Sequence, residues 1–186
     1  MKCHYRKAIF ILLICQSCFL FAQKSPLDYV DPTIGGVGVI LEPTRPTTHL
    51  PNCMVRVFPI RKDQLDDQIS NFPLTNASHR LYSVFAFLPL DGTITQDIWA
   101  KRLEYDHEIT TPYYYSTLLG GSGNQLEFSP QKRSGYFRIH FVGNKKHFLR
   151  IGVFSGLGEI KIQDKRIISG IEEFSGMKAY FYAETD

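Results

Sequence analysis

Two carboxylates separated by one residue are the pair in this sequence best spaced for acid–base chemistry. Asp106 and Glu108 flank His107 in the segment Glu-Tyr-Asp-His-Glu-Ile. In an extended strand, side chains two residues apart share one face at about 7 Å, close to the carboxyl separation of glycosidases that invert the anomeric centre. His107 would point to the opposite face. The alternative, which we favour, is that both acids lie on a solvated face of a sheet.

The single tryptophan, Trp99, is a second candidate for a functional role. Its large π face and its N–H would suit stacking on a pyranose ring. Burial in a core is the commoner fate of such a large apolar side chain, and it is the interpretation we favour from the sequence.

A glycine-rich segment and one cysteine complete the set of candidates. Gly35, Gly36 and Gly38 allow backbone conformations that other residues avoid, or the close approach of a ligand, but the Lys and Ser/Thr of a phosphate-binding loop are missing. Cys53 is the only cysteine after residue 22, and it lies beside Met54 and Val55. We interpret it as a buried structural thiol and not as a nucleophile.

The elements that would position these residues are predicted to be strands. The segment from Lys101 to Phe141 is interpreted as a meander of three strands, with Phe137, Ile139 and Phe141 on one face of the last strand. Leu126 and Phe128 alternate with polar residues in the strand before it. The glycines between Leu119 and Gln125 predict a short hairpin connection.

Strands are also predicted on both sides of this meander. Met54–Ile60 has Val55 and Val57 inward, and Tyr82–Leu88 is apolar on both faces, as in a central strand. Phe148–Phe154 is expected to point Leu149, Ile151 and Val153 inward. Three more strands follow, at Gly158–Gln163, Arg166–Ile171 and Lys178–Ala183. No long helical period occurs after residue 22, so the pattern predicts an all-β sandwich.

The first 22 residues are typical of a secretory signal peptide. A cationic start precedes an apolar run from Ala8 to Phe21, and Ala22 offers a cleavage site. We therefore predict a signal peptide at residues 1–22 and a periplasmic or secreted protein, with no membrane association after cleavage. Cys18 follows Ser17, a poor match to a lipidation site, so we expect no lipid anchor there.

The charge of the chain argues against nucleic acid as a partner. The formal net charge is +3, but Lys2, Arg6 and Lys7 account for it, because the first 22 residues contain no acid. The remaining chain has 18 basic and 18 acidic residues, and nucleic-acid binding proteins need a basic surface.

Several ordered motifs resemble the amino-terminal β-sandwich domain of glycoside hydrolase family 92, a family of bacterial exo-acting α-mannosidases. In chain order these motifs are Tyr29–Gly35, Pro46, Pro51 with Met54-Val55, Asp106-His107-Glu108, Thr111-Pro112 with Tyr114-Tyr115, Leu126–Phe128, and Arg133–Gly135 with Arg138. Tyr113 stands where the family usually has Gly, and Asn52-Cys53 where it has Phe-Gly. The resemblance extends over nearly all of residues 23–186, which we interpret as part of that domain.

The resemblance implies an antiparallel supersandwich of the galactose-mutarotase-like type, incomplete at its carboxyl end. It further implies that the catalytic acid, base and calcium ligands belong to a following (α/α)6 barrel, so this chain alone would bind no metal and be inactive on mannose-containing glycans. As carbohydrate-binding residues it suggests Trp99, His107, Glu108, Gly35 and Gly36. Two alternatives stay open: a free-standing carbohydrate-binding sandwich that presents Trp99 and Tyr113–Tyr115, and a purely structural domain.

Overall fold

A computed structural model describes residues 24–34, 47–62, 66–76 and 83–186. The chain divides into two compact units, Met1–Asp31 and Pro32–Asp186. In the described part of the first unit, a 3-10 helix spans Pro26–Tyr29. Ser25 caps it, because its hydroxyl accepts from the Leu27 N–H while its own N–H donates to Asp28. Within the described ranges, no helix is both long and apolar enough to cross a membrane.

The second unit consists of β strands over the ranges that the structure describes, with one further 3-10 helix at Gln96–Trp99. The strands are β1 (Gln68–Ile69), β2 (Phe72–Asn76), β3 (Ser83–Asp91), β4 (Leu103–Thr110), β5 (Tyr115–Leu119), β6 (Asn124–Pro130), β7 (Gly135–His140), β8 (His147–Gly152), β9 (Gly158–Gln163), β10 (Ile167–Phe174) and β11 (Met177–Glu184). They form three antiparallel sheets, in the orders β1-β4-β5-β6-β7, β2-β3-β8 and β11-β10-β9.

The five-stranded sheet contains the predicted meander, which has four strands and not three. Leu126 and Phe128 of β6 are buried, and Phe137 and Ile139 of β7 pack against the same core, as the alternation predicts. The turn between β5 and β6 uses Gly120 and Gly123 with positive φ. The extra strand arises because residues 103–119 form a hairpin of their own, β4 and β5.

The second sheet is centred on β3, which is buried from Val84 to Leu90, as expected for a central strand. It faces the first sheet, since the rings of Phe87 and Phe137 lie 4.6 Å apart and those of Phe72 and Tyr115 lie 5.8 Å apart. Apolar side chains of β2, β3, β5 and β6 form one core between the two sheets. These contacts confirm the predicted antiparallel β-sandwich.

Two of the predicted strands differ in detail. Within Met54–Ile60, only single bridges form, between Val57 and Thr48 and between Ile60 and Asn71. In β8 the predicted inward face is wrong at Leu149, which is exposed, whereas Arg150 is buried. The buried guanidinium of Arg150 donates to acceptors in neighbouring segments, and local hydropathy does not predict such contacts.

Among the described residues, the contacts that attach the third sheet to the second include an aromatic pair and a buried carboxylate. Phe181 of β11 packs edge-on against Phe85 of β3, with ring centroids 4.5 Å apart. Gly170 opposite Phe181 leaves room for that ring, because a Cβ at position 170 would lie 2.3 Å from its Cε1 atom. The buried Glu172 of β10 accepts from the Phe85 N–H at 2.6 Å.

Candidate functional site

A bulge in β4 separates the two carboxylates that the sequence suggested as an acid–base pair. The pairing of β4 with β5 shifts between Asp106 and Ile109, and His107 has a φ of 49°. The Asp106 side chain is 81% exposed, while that of Glu108 is 19% exposed. The expectation that both carboxylates share one strand face is therefore wrong, because the extra residue in the bulge turns Glu108 towards the protein.

Glu108 is held by two partners that converge on one of its oxygens. Oε1 is ion-paired with the Arg61 guanidinium and accepts from the Tyr115 hydroxyl at 2.9 Å. Arg61 also lies over the Tyr105 ring, with Cζ 4.2 Å from the ring centroid. Burial, followed by the charge of Glu108, raises the pKa of Tyr115 well above its ordinary value. Tyr115 therefore remains a hydroxyl donor to Glu108, and the group fixes this carboxylate in place.

His107 lies at the tip of the bulge and is exposed to solvent. Its Nε2 atom is 3.8 Å from a carboxylate oxygen of Asp106, and its backbone N–H donates to the same side chain at 2.7 Å. An exposed imidazole in this position can contact a ligand from the surface. His107 and Glu108 are thus adjacent in sequence but point to different environments.

Trp99 ends the 3-10 helix at Gln96–Trp99 and is 67% exposed. Its neighbour Ile98 is the residue of that helix that enters the core. The expectation that Trp99 is a core residue is wrong, because a single helical turn directs consecutive side chains to different sides. The exposed indole is free to stack on a planar apolar surface such as the face of a sugar ring.

Arg150 connects the end of the Trp99 helix to the segment that carries Arg61. Its Nη1 atom donates to the carbonyl oxygens of Ile98, Trp99 and Lys101, and its Nη2 atom donates to Ser70 O and Asn71 Oδ1. The backbones of Ser70 and Asn71 in turn bond to Ile60, the residue before Arg61. Trp99 and Glu108 are thus linked through one hydrogen-bonded path.

Arg61 and Arg150 were missed by reasoning from sequence. Arg61 follows a short apolar segment without any pattern that marks it as a partner of Glu108. Arg150 did carry a signal, since it is a charged residue between Leu149 and Ile151 in an apolar strand. A charged side chain in such a position is either exposed or bonded to buried acceptors.

The three consecutive tyrosines have different environments. Tyr113 is exposed, and the Tyr114 hydroxyl donates to Glu127 at 2.7 Å. This hydrogen bond, with burial, raises the pKa of Tyr114. Tyr115 is fully buried, so the hypothesis that all three present a binding surface is wrong for Tyr115.

The remaining candidates add no reactive centre in the described part of the chain. Cys53 is buried, and its thiol donates to Gln131 O at 2.7 Å, which confirms the structural interpretation. Gly35 and Gly36 lie outside the described residues. Among the residues with a described structure, no three His, Cys, Asp or Glu side chains come together to form a metal site.

Comparisons with known proteins agree with this architecture of facing antiparallel sheets. The family model described as the glycosyl hydrolase family 92 N-terminal domain matches residues 29–186. Two solved structures that match are of the family GH92 α-mannosidase BT3965 from Bacteroides thetaiotaomicron, one of them in complex with mannoimidazole. Each is 21% identical to this chain, covers 78% of it and superposes with a TM-score of 0.65. A search of curated proteins finds no match.

The facing antiparallel sheets and the core between them define an all-β sandwich domain. Because the family model matches most of its length, the chain belongs to the glycosyl hydrolase family 92 N-terminal domain family. The similarity to the solved α-mannosidase structures shows a shared fold. The chain spans 23% and 22% of the length of those two structures, that is, less than a quarter of each.

Proposed function

We propose that this chain forms part of the amino-terminal sandwich of an exported α-mannosidase-like glycoside hydrolase that acts on mannose-containing glycans. The observation that carries the proposal is the family match over residues 29–186. The α-mannosidase named among the matching structures, and its complex with mannoimidazole, support the substrate class. In this proposal the reactive groups lie on a following helical barrel domain, and the sandwich supplies one wall of the cleft.

The described carboxylates support a non-catalytic role for the sandwich. An inverting glycosidase needs one carboxylic acid and one carboxylate on opposite sides of the sugar, with a water beside the latter. Glu108 is engaged by Arg61 and Tyr115, and Asp106 points away from it into solvent. The two side chains therefore do not frame a sugar together.

Calcium, which the family resemblance implies, does not fit the residues described in this chain. Calcium prefers six to eight oxygen ligands, with several carboxylates among them. No cluster of three ligating side chains is present in the described ranges. We therefore propose that the ion, like the acid and the base, is held by the following domain.

Trp99 is the residue that we propose to contact the sugar from this wall. Its exposed indole offers an apolar face that suits the C–H face of a pyranose ring. His107, which is exposed on the bulge, is proposed to form a hydrogen bond with the sugar. Glu108 is proposed to contact the sugar from its fixed position beside Arg61. Gly35 and Gly36 of the glycine-rich segment are also proposed to contact the sugar.

The first test is activity. Purified protein corresponding to residues 23–186 is incubated with α-linked mannobioses and an aryl α-mannoside, with calcium added, and mannose release is measured. We expect no release, because the proposed acid, base and calcium ligands lie elsewhere. Release of mannose above that of a buffer control would overturn the proposal that this part is non-catalytic.

The second test addresses sugar contact and separates the two carbohydrate hypotheses. Because Trp99 is the only tryptophan, its emission can be titrated directly with mannose and α-mannobioses, with galactose as the control sugar. A change of Trp99 emission that saturates with mannosides would favour a free-standing binding module, which the exposed indole also supports. Binding that appears only when the helical barrel is co-expressed would favour the domain of a larger enzyme.

Export is the third part of the proposal. We expect the mature protein to begin at Gln23, after removal of the cationic and apolar segment that ends at Ala22. Intact mass measured on protein recovered from the periplasm or medium checks this start. A mass that includes residues 1–22 would contradict it.

A further inference from the structure

Arg150 is a buried arginine that has no described carboxylate partner. It is 6% exposed, and its guanidinium donates five hydrogen bonds within the described residues, all of them to carbonyl-type oxygens. Burial lowers its pKa from the ordinary value for arginine. Retaining a guanidinium in such surroundings is costly unless its donors are satisfied, and here its geometry matches two separate groups of acceptors.

One group of acceptors is the carboxyl end of the short helix that presents Trp99. The helix has only one turn, and Thr95 at its start provides no side-chain cap. Such a turn is not stable alone. The carbonyls of Ile98, Trp99 and Lys101 all accept from Nη1 of Arg150, at distances up to 3.1 Å. Ile98 O also accepts from the Lys101 N–H at 3.4 Å, and the guanidinium adds a charged donor at the carboxyl end of the turn, where the helix dipole favours a cation.

The second group of acceptors fixes Arg150 itself to the protein. Nη2 donates to Ser70 O and to Asn71 Oδ1, on the connection between β1 and β2. Arg150 also belongs to β8, which pairs with the buried β3. The end of the Trp99 helix is therefore attached through one side chain to β8 and to the connection between β1 and β2.

Gly152, two residues further along β8, lies under the indole. A Cβ built at position 152 would come 3.4 Å from the Cζ3 atom of Trp99, with no other atom within 4 Å. Gly152 does not have a positive φ, so its backbone does not require glycine. A Cβ at this distance would be in ordinary van der Waals contact with the ring, so a methyl group would fit, whereas a β-branched side chain would displace the indole from the strand.

We propose that Arg150 and Gly152 are positioning residues that hold the Trp99 indole against β8 in a preformed, outward orientation for stacking on a sugar. The sugar role rests on the function proposed above, whereas the positioning of the indole does not. Preformed aromatic surfaces bind more tightly because the side chain loses less freedom when the ligand arrives. Arg150 also sets the position of the Trp99 helix relative to the segment that carries Arg61, the ion-pair partner of Glu108.

Two variants test the proposal through the single tryptophan. Arg150→Met removes the donors while keeping an apolar stem, and Gly152→Val inserts methyl groups under the ring while leaving the Arg150 hydrogen bonds in place. Arg138→Met and Gly121→Val are the matched controls, since Arg138 is largely exposed and a Cβ at position 121 meets no atom within 4 Å. Circular dichroism and urea unfolding establish which variants are folded.

Trp99 fluorescence anisotropy and acrylamide quenching in the free protein are the primary readouts. We expect lower anisotropy and faster quenching in Arg150→Met and a shifted emission maximum in Gly152→Val, with both controls equal to wild type. Arg150→Lys should have anisotropy and quenching values between those of wild type and Arg150→Met, since an ammonium cannot span both groups of acceptors. If Gly152→Val and a folded Arg150→Met leave anisotropy, quenching and emission at wild-type values, the proposal is wrong.

A titration with mannosides separates this proposal from the function on which it rests. If wild type binds, we expect the two variants to bind about threefold to tenfold more weakly, the loss that corresponds to ordering one side chain. Equal affinity in wild type and variants would overturn the preformed role of the indole. If wild type shows no response to any mannoside, the sugar role fails, while the spectra of the free proteins still decide whether Arg150 and Gly152 position the ring.

Discussion

At the scale of single residues, Glu172 shows how one carboxylate can join two sheets. It is fully buried, and its two oxygens accept from the backbone N–H groups of Phe85 and Ser155, each at 2.6 Å. Phe85 has a φ of 50°, and the register between β2 and β3 skips this residue. The N–H that leaves the ladder at this irregularity is thus bonded to Glu172, which satisfies both groups.

We predict that Glu172→Ala destabilises the protein by about 2–4 kcal/mol, because it leaves two backbone donors without an acceptor. Glu172→Gln should lie between wild type and Ala, since the amide offers one acceptor oxygen. Urea unfolding monitored by circular dichroism measures the difference. The adjacent Glu173→Ala is the control, because that side chain is exposed. A Glu172→Ala midpoint equal to that of Glu173→Ala would contradict this account.

At the scale of elements, Asp66 and its hydrogen-bond and ion-pair partners stabilise the short strand β1 beside β4. Asp66 accepts from the Lys62 N–H at 2.7 Å and from the Gln68 N–H at 3.1 Å, and it is ion-paired with Arg102. The hydrogen bond from Lys62 contributes most to lowering the pKa of Asp66 below its ordinary 3.8, and the Arg102 guanidinium acts in the same direction against the effect of burial. The ionised carboxylate thus stabilises the folded position of β1.

The lowered pKa of Asp66 predicts how the stability of the protein depends on pH. A carboxyl group with a lowered folded pKa stabilises the protein fully above its unfolded value of 3.8, and the contribution is lost as the pH falls through the folded pKa. We expect wild type to be more stable than Asp66→Asn at neutral pH, and this gap to narrow below pH 3.8. Urea midpoints between neutral pH and pH 2.5 test it, with Asp67→Asn as the exposed control. A gap that widens in acid would contradict the prediction.

At the scale of the whole molecule, the third sheet has an apolar face that is only partly covered. Ile160 and Phe181 both pair with Gly170, so they share a face with Ile162, and yet Ile162 is 73% exposed. In the described structure, β9 and β11 each pair only with β10, so each has a free edge. Free strand edges beside exposed apolar side chains favour association with further strands.

We therefore predict that residues 23–186, produced alone, self-associate as their concentration rises and become more soluble when co-expressed with the proposed remainder of the enzyme. Ile162→Lys should reduce this association, because it places a charge on the apolar face. Gln163→Lys is the matched control, since it adds the same charge on the opposite face. Sedimentation velocity measures the effect. A wild-type protein that stays monomeric at high concentration would refute the prediction.

Several strands could be predicted from local patterns of apolar and polar residues. Leu126 and Phe128 alternate with polar residues and predicted β6, and Phe137 and Ile139 predicted β7 in the same way. The continuous apolar run predicted the central β3. These patterns suffice because the side-chain period of a strand depends only on neighbouring residues. The ordered motifs that resemble family 92 are likewise present in the sequence, and the family match confirms them.

The arrangement of the candidate site could not be predicted from local patterns. The bulge at His107 separates Asp106 from Glu108. Ile98 is buried in the core, whereas the adjacent Trp99 is exposed. Arg150 is buried because it donates to carbonyls of residues far away in the chain. Each outcome depends on strand register and on contacts between distant segments, and neither is encoded in the spacing of nearby residues.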